Sequence, residues 1–207
     1  HELRRHLGLE HVHLLGQSWG GMLELQYATH RPSGVASMVV ASSPADMDLW
    51  LAEAIRLRSY LPREMEQTLA QADADGDYDR PEVKAASAEY YRRHVAAVPE
   101  DERPEKWRKP FADPVGDEVY HTMQGMSEFV VTGKLSHWSV ADKLGDICIP
   151  TLVTSGTADE CTPLIAKQIA DGIPGAEWAL LEGTHMVHLE RLEEYNATIE
   201  EFMERHE

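Results

Sequence analysis

The segment Gly16-Gln17-Ser18-Trp19-Gly20-Gly21 has the spacing G-x-S-x-G that an activated serine needs. A serine on a tight strand-to-helix turn projects its Oγ above the sheet. Glycines two residues to either side leave room for that strained backbone, and the helix N-terminus beneath it favours a developing anion. A further glycine, Gly21, lets helix and strand approach closely. Such a serine needs a base, and the base needs an acid to orient it. Two later loops offer them: Gly156-Thr157-Ala158-Asp159 carries a carboxylate and Glu182-Gly183-Thr184-His185 an imidazole. The chemistry indicated is acyl transfer by Ser18, Asp159 and His185. His188 rivals His185 as the base, and Glu160 rivals Asp159 as the acid.

These residues act together only if strands bring them to one edge. His11 to Leu15 reads as a short buried strand ending at Gly16, and a helix from about Trp19 to His30 stops at Arg31-Pro32. Val35 to Ala41 is β-branched enough to be the next strand, so the pair is parallel with a right-handed crossover. Ile149 to Gly156 restores the buried-strand pattern, followed by a helix from Pro163 to about Asp171 and a strand from Ala176 to Leu181. Leu189, Leu192, Tyr195, Ile199 and Phe202 predict an amphipathic terminal helix. The count is four core strands. Ser18, Asp159 and His185 each follow a strand, at the edge where open α/β sheets collect reactive groups.

Between these segments lies a mostly helical insertion, with helices expected over Asp48 to Tyr60 and Pro81 to Val98. Pro99, Pro104, Pro110 and Pro114 argue for a loop or hinge inside it. The expected organisation is an elbow-bearing core segment over 1–44, a helical lid over 45–144, and a core segment with acid and histidine over 145–207. The fold class is α/β.

Composition narrows the partners. Nineteen basic against 36 acidic side chains leave a formal charge of −17, which repels nucleic acid and anionic membranes and tolerates an amine-bearing substrate. Cys148 and Cys161 cannot make a disulfide framework, and no CxxC pair offers zinc ligands. No dinucleotide or P-loop motif occurs, so no cofactor or metal is expected. His11 and His13 alternate on a strand and read as packing. Asp73, Asp75, Asp77 and Asp79 resemble a calcium loop, but Gly76 is misplaced and Lys84 stands where the bidentate glutamate belongs. No apolar run approaches the roughly 20 residues of a membrane span, and a reduced cytoplasmic setting is the expectation.

The segments GQSWGG, EFVVTGKLSHWSVADKL, IPTLVTSGTADECTP and EGTHMVHLERLEEYN together resemble the proline iminopeptidases of the α/β-hydrolase fold, including the tricorn-associated aminopeptidases. The resemblance runs through nearly the whole chain and is weakest between about Leu61 and Asp117. It implies a serine aminopeptidase that releases an N-terminal proline, or another small or apolar residue, from peptides or amino-acid amides through an acyl-enzyme. Ser18 would attack, His185 would move the proton and Asp159 would hold the imidazole. The Trp19 N–H would supply half of the oxyanion hole. The two glutamates that bind the free α-ammonium in this family fall on Glu128, in Ser127-Glu128-Phe129, and on Glu160. Trp19, Phe129 and Trp138 are candidates for an apolar slot of proline size, or for core packing. An amino-acid amidase, an esterase or thioesterase, and a silent lidded binding module are the alternatives.

The sequence also departs from that pattern. The family's HGGPG-type loop, source of a second oxyanion donor, has no counterpart in these 207 residues, and four strands stand where the family has about eight. The chain opens His1-Glu2-Leu3 without an initiator methionine. The expectation is therefore the C-terminal half of the core, inactive and poorly soluble alone, with the N-terminal part of the same fold needed to complete it.

Overall fold

β-Branched and apolar residues concentrate in short runs, and these runs form the sheet. The computed structural model describes residues 2–103 and 114–207. After a short helix α1 (Glu2–His6) come β1 (Val12–Gln17), α2 (Trp19–Ala28) and β2 (Val35–Ala41). Then follow the helices α3 (Met47–Arg58), α4 (Arg63–Asp75), α5 (Pro81–His94) and α6 (Pro114–Met123). The chain returns to the sheet with β3 (Thr151–Gly156), α7 (Pro163–Gly172) and β4 (Glu177–Leu181), and ends in α8 (Val187–Glu190) and α9 (Leu192–Glu204).

The described strands form one sheet in the order β1-β2-β3-β4, parallel throughout. Its register is set at Gln17↔Ala41, Ala41↔Thr154 and Gly156↔Leu181, so the strands reach their C-terminal edge together. β3 is buried along its whole length, as a strand covered on both faces must be. One face is sealed by α9, which sets Tyr195, Ile199 and Phe202 against Val39, Leu152 and Leu181. Burying a ring such as Phe202 contributes about 2–3 kcal/mol. The terminal helix differs from the single run expected. It breaks at Arg191 (φ −126°, ψ 45°), separating the turn that follows His185 from the helix that packs the sheet.

Two compact units emerge, His1–Asp46 with Ser139–Glu207, and Met47–Trp138. The division falls inside the expected limits of 45 and 144 for a physical reason. Val140 donates its N–H to the Ala45 carbonyl at 2.8 Å, and Asp46 bridges Ser139, so these residues belong with the sheet. Within the helical unit, Met47 donates to the Trp138 carbonyl at 2.9 Å. Its core packs Leu57, Leu69, Val83 and Tyr90 around Phe129. Arg58 is buried there, paired with Asp73 at 2.6 Å and lying 4.9 Å over the Phe129 ring. Of the prolines read as a hinge, Pro104 and Pro110 lie outside the described residues. Among the described residues, no helix is long and apolar enough to cross a membrane.

Candidate active site

Ser18 sits between β1 and α2 with φ 55° and ψ −120°, a conformation that L-residues rarely adopt. Two sets of hydrogen bonds hold it there. Its N–H donates to the Ala41 carbonyl at 2.8 Å, and its own carbonyl accepts from the Gly21 and Met22 N–H groups at 3.0 and 3.3 Å. The Trp19 N–H opens α2 and has no carbonyl one turn back to bond.

The glycines around the elbow are not equivalent. A Cβ on Gly16 would fall 2.4 Å from the Gly20 carbonyl carbon and oxygen, and one on Gly21 would fall 2.6 Å from the Ser43 Cβ. A Cβ on Gly20 meets nothing within 4 Å. The expectation that both flanking glycines make room is thus corrected: Gly16 and Gly21 do, and Gly20 does not. Gly16→Ala is expected to cost about 3 kcal/mol or more, since backbone cannot yield as a side chain can. Gly20→Ala should change stability by less than about 1 kcal/mol. Thermal melts of the two variants, side by side, check this.

Asp159 and His185 meet at the ends of β3 and β4. Asp159 Oδ1 lies 2.9 Å from His185 Nδ1 and accepts the Cys161 N–H at 2.7 Å, while Oδ2 accepts the Gly156 N–H at 3.3 Å. Both side chains are deeply buried, with Asp159 2% and His185 4% exposed. The two loops fit closely because Gly156 has no Cβ, which would sit 2.5 Å from the Gly183 and Thr184 carbonyl oxygens. Ala158 donates to the Gly183 carbonyl at 2.8 Å, and Glu190 accepts from both the Thr184 N–H and hydroxyl at 2.8 Å. The Gln17 amide, next to the elbow serine, donates to the His185 carbonyl at 3.5 Å.

The rivals are placed differently. His188 packs its ring against Tyr195, centroids 5.9 Å apart, and Asp159 pairs with His185. Burial, then the nearby His185, holds the His188 imidazole below its usual value. Glu160 approaches the other imidazole nitrogen, with Oε1 3.9 Å from His185 Nε2. It too is buried, at 5% exposure. Burial, with the neighbouring Asp159 and Glu160, pushes the Cys161 thiol well up.

Glu128 lies in the helical unit on a tightly wound loop. Thr132 and Gly133 both donate to the Gln124 carbonyl, and the Phe129 N–H donates to the Ser127 hydroxyl at 3.0 Å. Its Oε1 accepts the Tyr120 hydroxyl and, at 3.4 Å, the Tyr91 hydroxyl. The residue is half-buried. Phe129 is committed to the helical core against Tyr90, so it leaves the list of slot residues. Trp19 is exposed and Trp138 half-buried. His13 faces the Ser37 hydroxyl at 2.7 Å. The acidic run is used locally: Asp75 accepts the Asp77 N–H, Asp79 pairs with Lys84, and Gly76 caps α4 in the left-handed region.

Three contributors escaped the sequence reading. The Cys161 N–H bond to Asp159 is an Asx-turn, legible in principle as an Asp two residues before a loop N–H. The Thr184–Glu190 clasp has no short sequence signature. Glu24, on α2, is 8% exposed, with Oε2 lacking a hydrogen-bond partner among the described residues. Desolvation pushes its carboxyl up to about 8, against an opposing hydrogen bond from the Gly16 backbone.

Comparison with known proteins agrees with this fold. Residues 1–192 match the family model for the alpha/beta hydrolase fold. The chain is 39% identical to a proline iminopeptidase of Clostridium botulinum, over all of this chain and 70% of that protein. It is 38% identical to one of Lacticaseibacillus rhamnosus, over 97% of this chain and 69% of that one. Among solved structures it resembles the proline iminopeptidase of Mycobacterium smegmatis (TM-score 0.90, 40% identity, 99% of this chain and 68% of that one). It also resembles VinJ (TM-score 0.93, 38% identity, 100% of this chain and 70% of that one). The protein is an enzyme of the α/β-hydrolase type, and the chain belongs to the proline iminopeptidase family of that fold.

Proposed function

We propose that this hydrolase is a serine aminopeptidase that releases an N-terminal residue, proline or another small or apolar one, from short peptides or amino-acid amides through an acyl-enzyme. The observation that carries the reading is the buried 2.9 Å pair of His185 and Asp159, assembled at the sheet edge where the strained Ser18 turn also lies. Ser18 Oγ attacks the carbonyl that follows the first residue. His185 takes the serine proton on Nε2, while Asp159 holds Nδ1–H and so fixes the tautomer. The Trp19 N–H bonds the oxyanion as it forms. His185 then returns the proton to the leaving amine, and water repeats the sequence on the ester. Glu160 binds the substrate's α-ammonium, and Glu128 is proposed as a second carboxylate for it. The names of the relatives support the choice of proline.

The test is a paired assay of the full-length protein, with the N-terminal part of the fold in place, on proline β-naphthylamide and its N-acetylated form, with Ser18→Ala as the blank. The expected result is turnover of the free amine alone. Equal cleavage of both would favour a general amidase or esterase, and silence on both would overturn the aminopeptidase reading.

A further inference from the structure

His185 has an acid at each nitrogen, and only one of them is needed to orient it. Asp159 occupies Nδ1 at 2.9 Å, whereas the Glu160 carboxylate lies 3.9 Å from Nε2, the nitrogen that must be empty to accept the Ser18 proton. The His185 and Glu160 side chains are almost fully buried, at 5% and 6% exposure, so water screens the pair poorly. A carboxylate at that distance favours a proton on Nε2 and thereby disables the base. The other titratable groups placed about His185 among the described residues are these. His188 approaches from α8 as a second imidazole, with Glu190 beside it, and the Cys161 thiol neighbours the two acids. Gln17 bonds the His185 backbone carbonyl, away from the ring.

We propose that Glu160 gates the base: with no amine bound it holds His185 protonated on Nε2, and the substrate's α-ammonium releases that hold by taking the carboxylate. This rests on the amine role assigned to Glu160 above. The step balances simply. The ammonium brings one positive charge to Glu160, one proton leaves Nε2 for solvent, and the vacated lone pair receives the proton of Ser18 Oγ. Substrates without a free amine meet a site whose base is still occupied, so selectivity for the N-terminus acts on the chemical step as well as on binding.

The experiment uses diisopropyl fluorophosphate, a neutral reagent that reports Ser18 reactivity without an amine. Its inactivation rate is followed against pH for the full-length protein, with the N-terminal part of the fold in place, and for Glu160→Gln, each with and without propylammonium chloride at concentrations that compete with proline β-naphthylamide. For the wild-type chain the midpoint of the acid limb is expected to fall by about one pH unit when propylammonium binds, giving roughly tenfold faster inactivation on that limb. Glu160→Gln should show the lower midpoint from the start and ignore the ammonium. An unmoved midpoint in either comparison would overturn the gate. The KM of Glu160→Gln for the free-amine substrate separates the two layers. A raised KM with an unmoved acid limb would keep the amine role and sink the gate, whereas an unchanged KM would remove the amine role and the gate with it.

Discussion

Asp159→Asn is expected to lower kcat about 10⁴-fold while the protein stays folded. Asp159 is saturated with donors. Oδ1 takes the Cys161 N–H and His185 Nδ1–H, and Oδ2 takes the Gly156 N–H. An asparagine has only one oxygen to offer. If that oxygen faces His185, the new NH₂ confronts the Gly156 N–H, and the imidazolium formed during reaction loses its counter-charge. If the NH₂ faces His185 instead, Nδ1 must accept, the proton moves to Nε2, and the base cannot take the serine proton. Either arrangement removes stabilisation that matters most in the transition state. Steady-state kinetics on the free-amine substrate, with a thermal melt as the control for folding, check this. A fall of less than tenfold would remove Asp159 from the proposed triad.

Glu24→Gln should stabilise the protein at neutral pH. The carboxyl of Glu24 is pushed up from 4.5 to about 8, first by burial, with the Gly16 hydrogen bond acting against the shift. From about pH 4.5 upward an unfolded chain releases this proton and the folded protein retains it. Stability therefore falls with rising pH until the folded group itself titrates near 8. At pH 7 the loss is about 3 kcal/mol. Glutamine keeps the shape and the acceptor for Gly16 and has no proton to lose. The melting temperature of the variant should exceed the wild type by roughly 6–12 °C at pH 7, with the gain vanishing near pH 4. A constant difference across that range would show that ionisation is not its source.

The sheet was legible because its signals are local. Val35–Ala41 carries β-branched residues between clear stops, and its limits match the reading. β1 ran on to Gln17 because ladder pairing with Ala41 continues past Gly16, a neighbour's effect that no single run contains. The break at Arg191 was hidden for a different reason, since Leu189, Leu192 and Tyr195 keep helical spacing across it. At the candidate site, the Ser18 turn and the Asp159–His185 pair were legible through glycine spacing and position after strands. Glu24 did not, because burial of one acid among 36 is a tertiary property. Gly16 and Gly20 look alike in the motif, and only the packed backbone distinguishes them. Phe129 was ambiguous between slot and core until Tyr90 and Arg58 closed around it.

The helical stretch enters and leaves by adjacent residues, Ala45 bonding Val140 and Met47 bonding Trp138. Topologically it is therefore a single long loop, whose closing cost grows only slowly with its length. Selection can lengthen, trim or exchange such a cassette while the parallel ladder keeps its register. Glu128 travels with that cassette, whereas Ser18, Asp159, Glu160 and His185 stay with the frame. One half of the proposed amine recognition thus rests on a segment whose length can change without disturbing the frame that carries the proposed hydrolytic residues.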